Sequence, residues 1–140
     1  PGVILSLNPS WETTAMGWSV VPEGFGRLLR WISSRYPGFD IHVTENGCAA
    51  PFTDDRSALE DDFRIRFLDG YISEALKCKA EGVPLKGYFV WSLLDNFEWA
   101  SGFSQRFGIV HVDYRTQKRT PKKSFNWYRS FLKKIRKVDG

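Results

Sequence analysis

The stretch DIHVTENG, residues 40–47, decides the fold. Ile41-His42-Val43-Thr44 is β-branched and reads as the end of a short strand from about Asp40 to Thr44. Asn46-Gly47 reads as the turn that stops it. Between them an ionisable side chain, Glu45, is carried to the strand's C-terminal tip. The residues on either side of this strand are helical in pattern. Upstream, Pro22 sits where a proline starts a helix, and PEGFGRLLRWISSRY places Phe25, Leu28, Leu29 and Ile32 on one side before Tyr36-Pro37-Gly38 stops it. Downstream, APFTDDRSALED reads as a polar, turn-rich loop. A second amphipathic helix then runs from about Asp61 to Glu81 with Ile65, Leu68, Ile72, Ala75 and Leu76, and Gly82-Val83-Pro84 ends it.

The run KGYFVWS, residues 86–92, is compact, apolar and aromatic, and reads as a buried strand. LLDNFEWASGFSQRF, residues 93–107, is long for a connection. GIVHVDY, residues 108–114, reads as a short extra strand. The order is therefore helix, strand, helix, strand, long loop, helix, which argues for parallel βαβ units. Two main strands do not make a closed α/β domain, because both outer edges stay unpaired. The expectation is one portion of a larger α/β structure, with no internal domain boundary across residues 1–140.

Composition narrows the class. Hydrophobic residues are 42% and charged residues 26%, the balance of a folded chain rather than a disordered one. No apolar run approaches the roughly 20 residues that span a bilayer. The opening PGVILSLNPSWETT has neither an initiator Met nor the charged start of an export signal, so the chain is expected to begin inside something longer. Cys48 and Cys78 are too few for a disulfide framework and fit no zinc spacing, so free structural thiols are expected. Asn8 precedes Pro9, which leaves no acceptor for N-glycosylation. These two features lean weakly toward the cytoplasm, though localisation itself is not legible.

Residues 115–137 hold ten Lys and Arg and no acid, so the remainder is net acidic although the whole chain is +4. A basic block can mark nucleic acid or anionic membrane. Here Phe125, Tyr128, Phe131, Leu132 and Ile135 recur at helical spacing from Pro121 to Ile135, and the cations fall on the other faces and toward the C-terminal end. A solvated surface helix is expected, with neither nucleic acid nor membrane as partner. His42 and His111 lie in strand patterns without paired ligands at metal spacing, and are expected to be satisfied histidines. No metal or cofactor is called for.

Both strands end in loops that bear carboxylates. The first delivers Glu45; the second delivers Trp91, and its loop carries Asp95, Asn96, Glu98 and Trp99. In α/β barrels the working residues gather at the C-terminal ends of the strands. Carboxylates beside tryptophans suit sugars, since indole faces stack on pyranose C–H groups and carboxylates accept paired hydroxyl hydrogen bonds. Each residue alone has a plainer reading. Glu45 is a solvated loop residue, Trp91 is core, and Asp95 and Glu98 hold their own loop through turn hydrogen bonds. From the residues alone, Glu98 also stands open as an acid partner for Glu45.

Taken together, TENG at 44–47, WSLLDNFEWASGFSQRFGIVHVDY at 91–114, and MGW with VPEG at 16–24 resemble the C-terminal part of the family 1 glycoside hydrolases, the β-glucosidase family. The resemblance covers nearly the whole chain in the family's order. It implies a retaining (β/α)8 TIM barrel of which this chain is the C-terminal portion, about strands seven and eight with their helices. It implies that Glu45 is the catalytic nucleophile, ionised and therefore supplied with hydrogen bonds or positive partners. Trp91 becomes the platform under the terminal sugar, and Glu98 binds two of its hydroxyls rather than serving as acid. Trp99 donates its indole N–H to another hydroxyl, and Phe107 closes the wall near the 6-position. The acidic Glu98 disfavours 6-phosphoglycosides. Ala15 stands where the family commonly has an acid, and His42 at a position often aromatic or aliphatic. The family's Asn-Glu-Pro acid/base motif is absent from residues 1–140. The implied partners are a small β-glycoside and the missing N-terminal part of the barrel, with a non-catalytic sugar-binding remnant as the alternative.

Overall fold

The computed structural model describes residues 8–138, with side chains to residue 135. Of the opening run PGVILSLNPSWETT, 1–14, read as no export signal, residues 1–7 lie outside the described residues. Helix α1, Pro22–Arg35, begins on its proline as expected. Strand β1 is Ile41–Asn46, helix α3 is Asp62–Ala80, and strand β2 is Leu85–Val90. β1 and β2 pair in parallel, from Ile41 opposite Leu85 to Asn46 opposite Val90. Helix α4, Lys123–Val138, closes the described chain.

Four elements depart from the sequence reading. The loop read over 50–61 holds a short helix, α2, Asp55–Leu59. Asp54 caps it: the Ser57 backbone N–H donates to Asp54 Oδ1 at 2.7 Å while Ser57 Oγ accepts from the Asp54 N–H at 3.0 Å. This reciprocal cap offsets the polar composition that reads as loop. Asn46-Gly47 is no turn. The strand runs on through Glu45 and Asn46, and the Trp91 N–H donates to the Asn46 carbonyl at 2.9 Å. A glycine is needed at 47 because a Cβ there would overlap the Trp91 carbonyl. The 108–114 run holds the short strand expected, β3, Val110–Val112, but its antiparallel partner β4, Arg119–Pro121, is too short to announce itself and takes Pro121, read from the sequence as the start of the basic helix. Finally, β2 is not a buried strand, since Phe89 is 59% exposed.

The helices cover one face of the β1–β2 pair. Leu29, Val43, Ala75, Cys78, Val83 and Leu85 form one cluster. Cys48, Phe67, Leu68, Ile72, Ile109 and Val110 form a second, against which Phe125, Trp127, Tyr128 and Phe131 of α4 pack. Both cysteines are free and buried. On the opposite face His42, Gly87 and Phe89 share one patch, with the His42 and Phe89 rings where a Gly87 side chain would go. Among the described residues nothing covers this face, and β1 and β2 each have one strand partner only. Leu28 and Leu76, expected inside, are 50% and 42% exposed because each lies at the margin of its helix's packed stripe.

The basic helix turns Phe125, Tyr128 and Phe131 inward as expected, while Leu132, expected on the same stripe, is 37% exposed, and Arg129, Lys133 and Lys134 are exposed. Lys122, just before it, is the exception and is fully buried. His111 departs too: its buried Nε2 has no hydrogen-bond partner among the described residues, the Asp55 carboxylate lying 3.7 Å away.

Candidate active site

The parallel pairing of β1 and β2 puts their C-terminal ends side by side. Glu45 and Asn46 come from β1, and Trp91 follows β2 directly. They line one cleft of about 280 Å³ with Trp18, Gly47, Glu98, Trp99 and Phe107. All five residues read from the sequence as site residues are therefore brought together.

Each is positioned locally. Glu45 is exposed and, among the described residues, makes no hydrogen bond or ion pair, so the supporting partners expected for it are not supplied here. Its neighbour Asn46 is fixed from the other strand, where Tyr88 Oη donates to Asn46 Oδ1 at 2.6 Å. Burial raises the Tyr88 hydroxyl far above its ordinary value, so it stays a donor. Trp91 is 38% exposed, and its peptide to Ser92 is cis. Glu98 and Trp99 sit at a tight local turn: the Glu98 N–H donates to the Gly102 carbonyl at 2.7 Å, and the Ser101 N–H returns to the Glu98 carbonyl at 2.8 Å. Trp99 opens a 3-10 turn, Trp99–Ser101, and is 82% exposed. Phe107 is buried except toward the cleft, its ring centroid 6.0 Å from that of Trp18.

Trp18 was not singled out as a site residue, although MGW was noted as a motif. It stands after a small hairpin in which Thr14 Oγ1 accepts the N–H groups of Met16 and Trp18 at 3.3 and 3.2 Å, and Gly17 takes a positive φ of 75°. The Ala15 N–H donates to the Ala49 carbonyl at 3.0 Å and fastens this hairpin beside the end of β1. Three tryptophans and two carboxylates in one open cleft favour a polyhydroxylated ring: indole faces for its C–H groups, acceptors for its hydroxyls.

Below the cleft lies a set of buried charges. Asp95, whose side chain is inaccessible, accepts from Lys122 Nζ at 2.8 Å, the Gly108 N–H at 3.0 Å, Arg106 at 3.0 Å and the Val112 N–H at 3.3 Å. Asp61 pairs with Arg64 and accepts from the Ser124 N–H and hydroxyl. Arg64 in turn donates to the carbonyls of Cys48 and Arg106. Burial, then the Arg64 charge, pushes the Lys122 ammonium down to about 8, and burial pushes the Cys48 thiol up to about 12. That thiol is inert at neutral pH despite lying three residues from Glu45. The plainer sequence reading of Asp95 as a loop holder is the one its contacts support.

Among the described residues no helix is long and apolar enough to cross a membrane. Residues 3–137 match the sequence profile of Glycosyl hydrolase family 1. The chain is 52% identical over 136 residues to β-glucosidase A of Thermotoga maritima, and 50% identical over 136 residues to the 1,4-β-D-glucan glucohydrolase of Thermotoga neapolitana. Each match covers 95% of this chain and 30% of the relative. The solved β-glucosidase from Thermotoga maritima in complex with deoxynojirimycin superposes with a TM-score of 0.85 at 48% identity, over 91% of this chain and 29% of that one. The chain thus spans about a third of the length of these relatives, as one portion of a (β/α)8 barrel. That accounts for the uncovered face of β1 and β2.

Proposed function

The chain belongs to glycosyl hydrolase family 1, and on that premise we propose that a barrel completed around it hydrolyses terminal β-D-glucosyl or closely related β-glycosyl residues with retention of configuration. The observation that carries this reading is the meeting of Glu45, Trp91, Glu98 and Trp99 in one cleft at the C-terminal end of a parallel strand pair.

In the first step the Glu45 carboxylate attacks the anomeric carbon, and the bond to the leaving oxygen breaks as that oxygen takes a proton from an acid outside residues 1–140. In the second step water attacks the same carbon, giving a proton back to the group that served as acid, and the Glu45 carboxylate leaves. Trp91 is the platform for the sugar ring, Glu98 accepts from two hydroxyls, and Trp99 donates to another. Phe107, braced by Trp18, closes one wall. The negative Glu98 repels a phosphate, so unphosphorylated glycosides are the substrate class. The solved relative's complex with deoxynojirimycin supports a small sugar-like ligand here.

The test is a chimera in which this chain replaces the matching segment of the Thermotoga maritima relative, incubated with a 2-deoxy-2-fluoro β-glucoside and weighed intact. A covalent adduct mapping to Glu45 is expected in the chimera. None is expected on the 140-residue chain, which lacks the acid and the remaining sugar contacts and is predicted to be inactive. A folded chimera that binds glucose but forms no adduct and turns over no glucoside would favour the sugar-binding remnant.

A further inference from the structure

Deepening that reading, and resting on Glu98 and Trp99 as sugar contacts, we propose that Asp95 is the positioning residue for the sugar-binding wall. Its carboxylate, held between Lys122 and Arg106, fixes the base of the 92–108 loop on which Glu98, Trp99 and Phe107 are carried.

The loop's base and tip are built differently. At the base the Ser92 N–H donates to the Phe107 carbonyl at 3.2 Å, the Ile109 N–H to the Ser92 carbonyl at 2.9 Å, and the Asp95 N–H to the Val110 carbonyl at 3.0 Å. The Asp95 carboxylate crosses this base. Oδ1 takes Gly108 and Lys122; Oδ2 takes Val112 and Arg106, whose own guanidinium also donates to the Val112 carbonyl at 3.0 Å. A Cβ on Gly108 would collide with the Leu94–Asp95 backbone, so the two sides of the base touch. The tip, by contrast, has among the described residues only its own turn hydrogen bonds at Glu98, Ser101, Gly102 and Ser104. It hangs from the base through Asn96, whose carbonyl accepts from Tyr114 at 3.3 Å, and through Phe103, whose ring lies 4.6 Å from that of Tyr114.

Asp95 is three residues before Glu98 and bonds the residue after Phe107, so both walls of the cleft follow it. Charge matters as well as shape. An amide of the same size presents an N–H₂ where the carboxylate meets four donors, so at least one cation or backbone N–H is left facing a donor. Because a misplacement of about 1 Å can cost on the order of 10²-fold in rate, a shifted tip would be read in catalysis.

The test is a double-mutant cycle in the chimera, Asp95→Asn with Glu98→Gln, on an aryl β-glucoside. Asp95→Asn is expected to lower kcat/KM by about 10²-fold in the parent and by only about tenfold once Glu98 is changed, since part of its effect runs through Glu98 and the rest through Trp99 and Phe107. Factors that multiply would overturn the proposal. Lys122→Met keeps the Asp95 charge and its other three partners; it is expected to give about a tenfold loss with the same non-additivity, and decides the matter if Asp95→Asn does not fold. An unsubstituted chimera that folds but is neither labelled nor active would instead overturn the glycosidase reading on which this one rests.

Discussion

Asp95 and Glu45 stand near the ends of neighbouring strands and are surrounded in opposite ways. Asp95 is enclosed and accepts four hydrogen bonds, two of them from cations. Glu45 is exposed in the cleft and has no partner among the described residues. A buried charge left unpaired costs several kcal/mol, so a chain that buries one must complete its shell. In the proposed reaction Glu45 must be reachable instead, and the groups that tune it would come from elsewhere in the barrel. The chain completes the shell of Asp95 and leaves Glu45 open to the cleft.

Exchanging the two carboxylates' fates is the sharpest way to break that contrast. In the chimera Glu45→Gln should lower kcat by about 10⁴-fold or more, the scale of losing a nucleophile, while the urea midpoint stays where it was. A fall in the midpoint comparable to that of an Asp95 variant would erase the distinction. Asp95→Ala should do the reverse, costing about 3–5 kcal/mol in urea unfolding because Lys122 loses its counter-charge.

The open face extends the contrast from single residues to a surface. Phe89→Ser should destabilise the chimera by about 3 kcal/mol, since the ring is covered once the barrel is complete. In the 140-residue chain, where Phe89 is exposed, the same change should raise the soluble fraction after centrifugation by shrinking an apolar patch. Gly47→Ala, which pushes a methyl into the Trp91 carbonyl, should cost about 2 kcal/mol in urea unfolding and lower activity with it, because it separates the two strand ends that hold the cleft together.

The smallest effect is on pH. Lys122 in the folded chain titrates near 8, below its usual 10.5, so the unfolded state holds the extra proton between those values. Its contribution to stability is complete above 10.5 and is lost as pH falls through about 8. Cys48, raised from 9 to about 12 by burial, works in the other direction above pH 9. The urea midpoint should therefore rise slightly from pH 7.5 to 9 in the chimera, and Lys122→Met should remove that rise.

Much of this was legible in the residues because it is periodic or local. The apolar spacing in α1, α3 and α4, the proline that opens α1 and the β-branched run of β1 gave the helix–strand alternation, and the motifs gathered the five cleft residues. What escaped depends on contacts distant in sequence. Nothing local distinguishes Lys122 from its basic neighbours, since its burial is set by Asp95, far back in the chain. Asn46-Gly47 has the composition of a turn, but pairing with β2 overrides that preference, and the glycine serves a close approach instead. Trp18 lies outside the strands and reaches the cleft only because its hairpin is tied to Ala49.

The Lys122–Asp95 contact also has a meaning in time. A ribosome delivers Glu45, Trp91 and Glu98 well before it delivers residue 122, and until then Asp95 has no ammonium to close on. The base of the 92–108 loop can therefore be closed only when synthesis has reached the start of α4. A stop codon between residues 108 and 122 would leave every residue that lines the cleft in place and remove the cation that closes on Asp95.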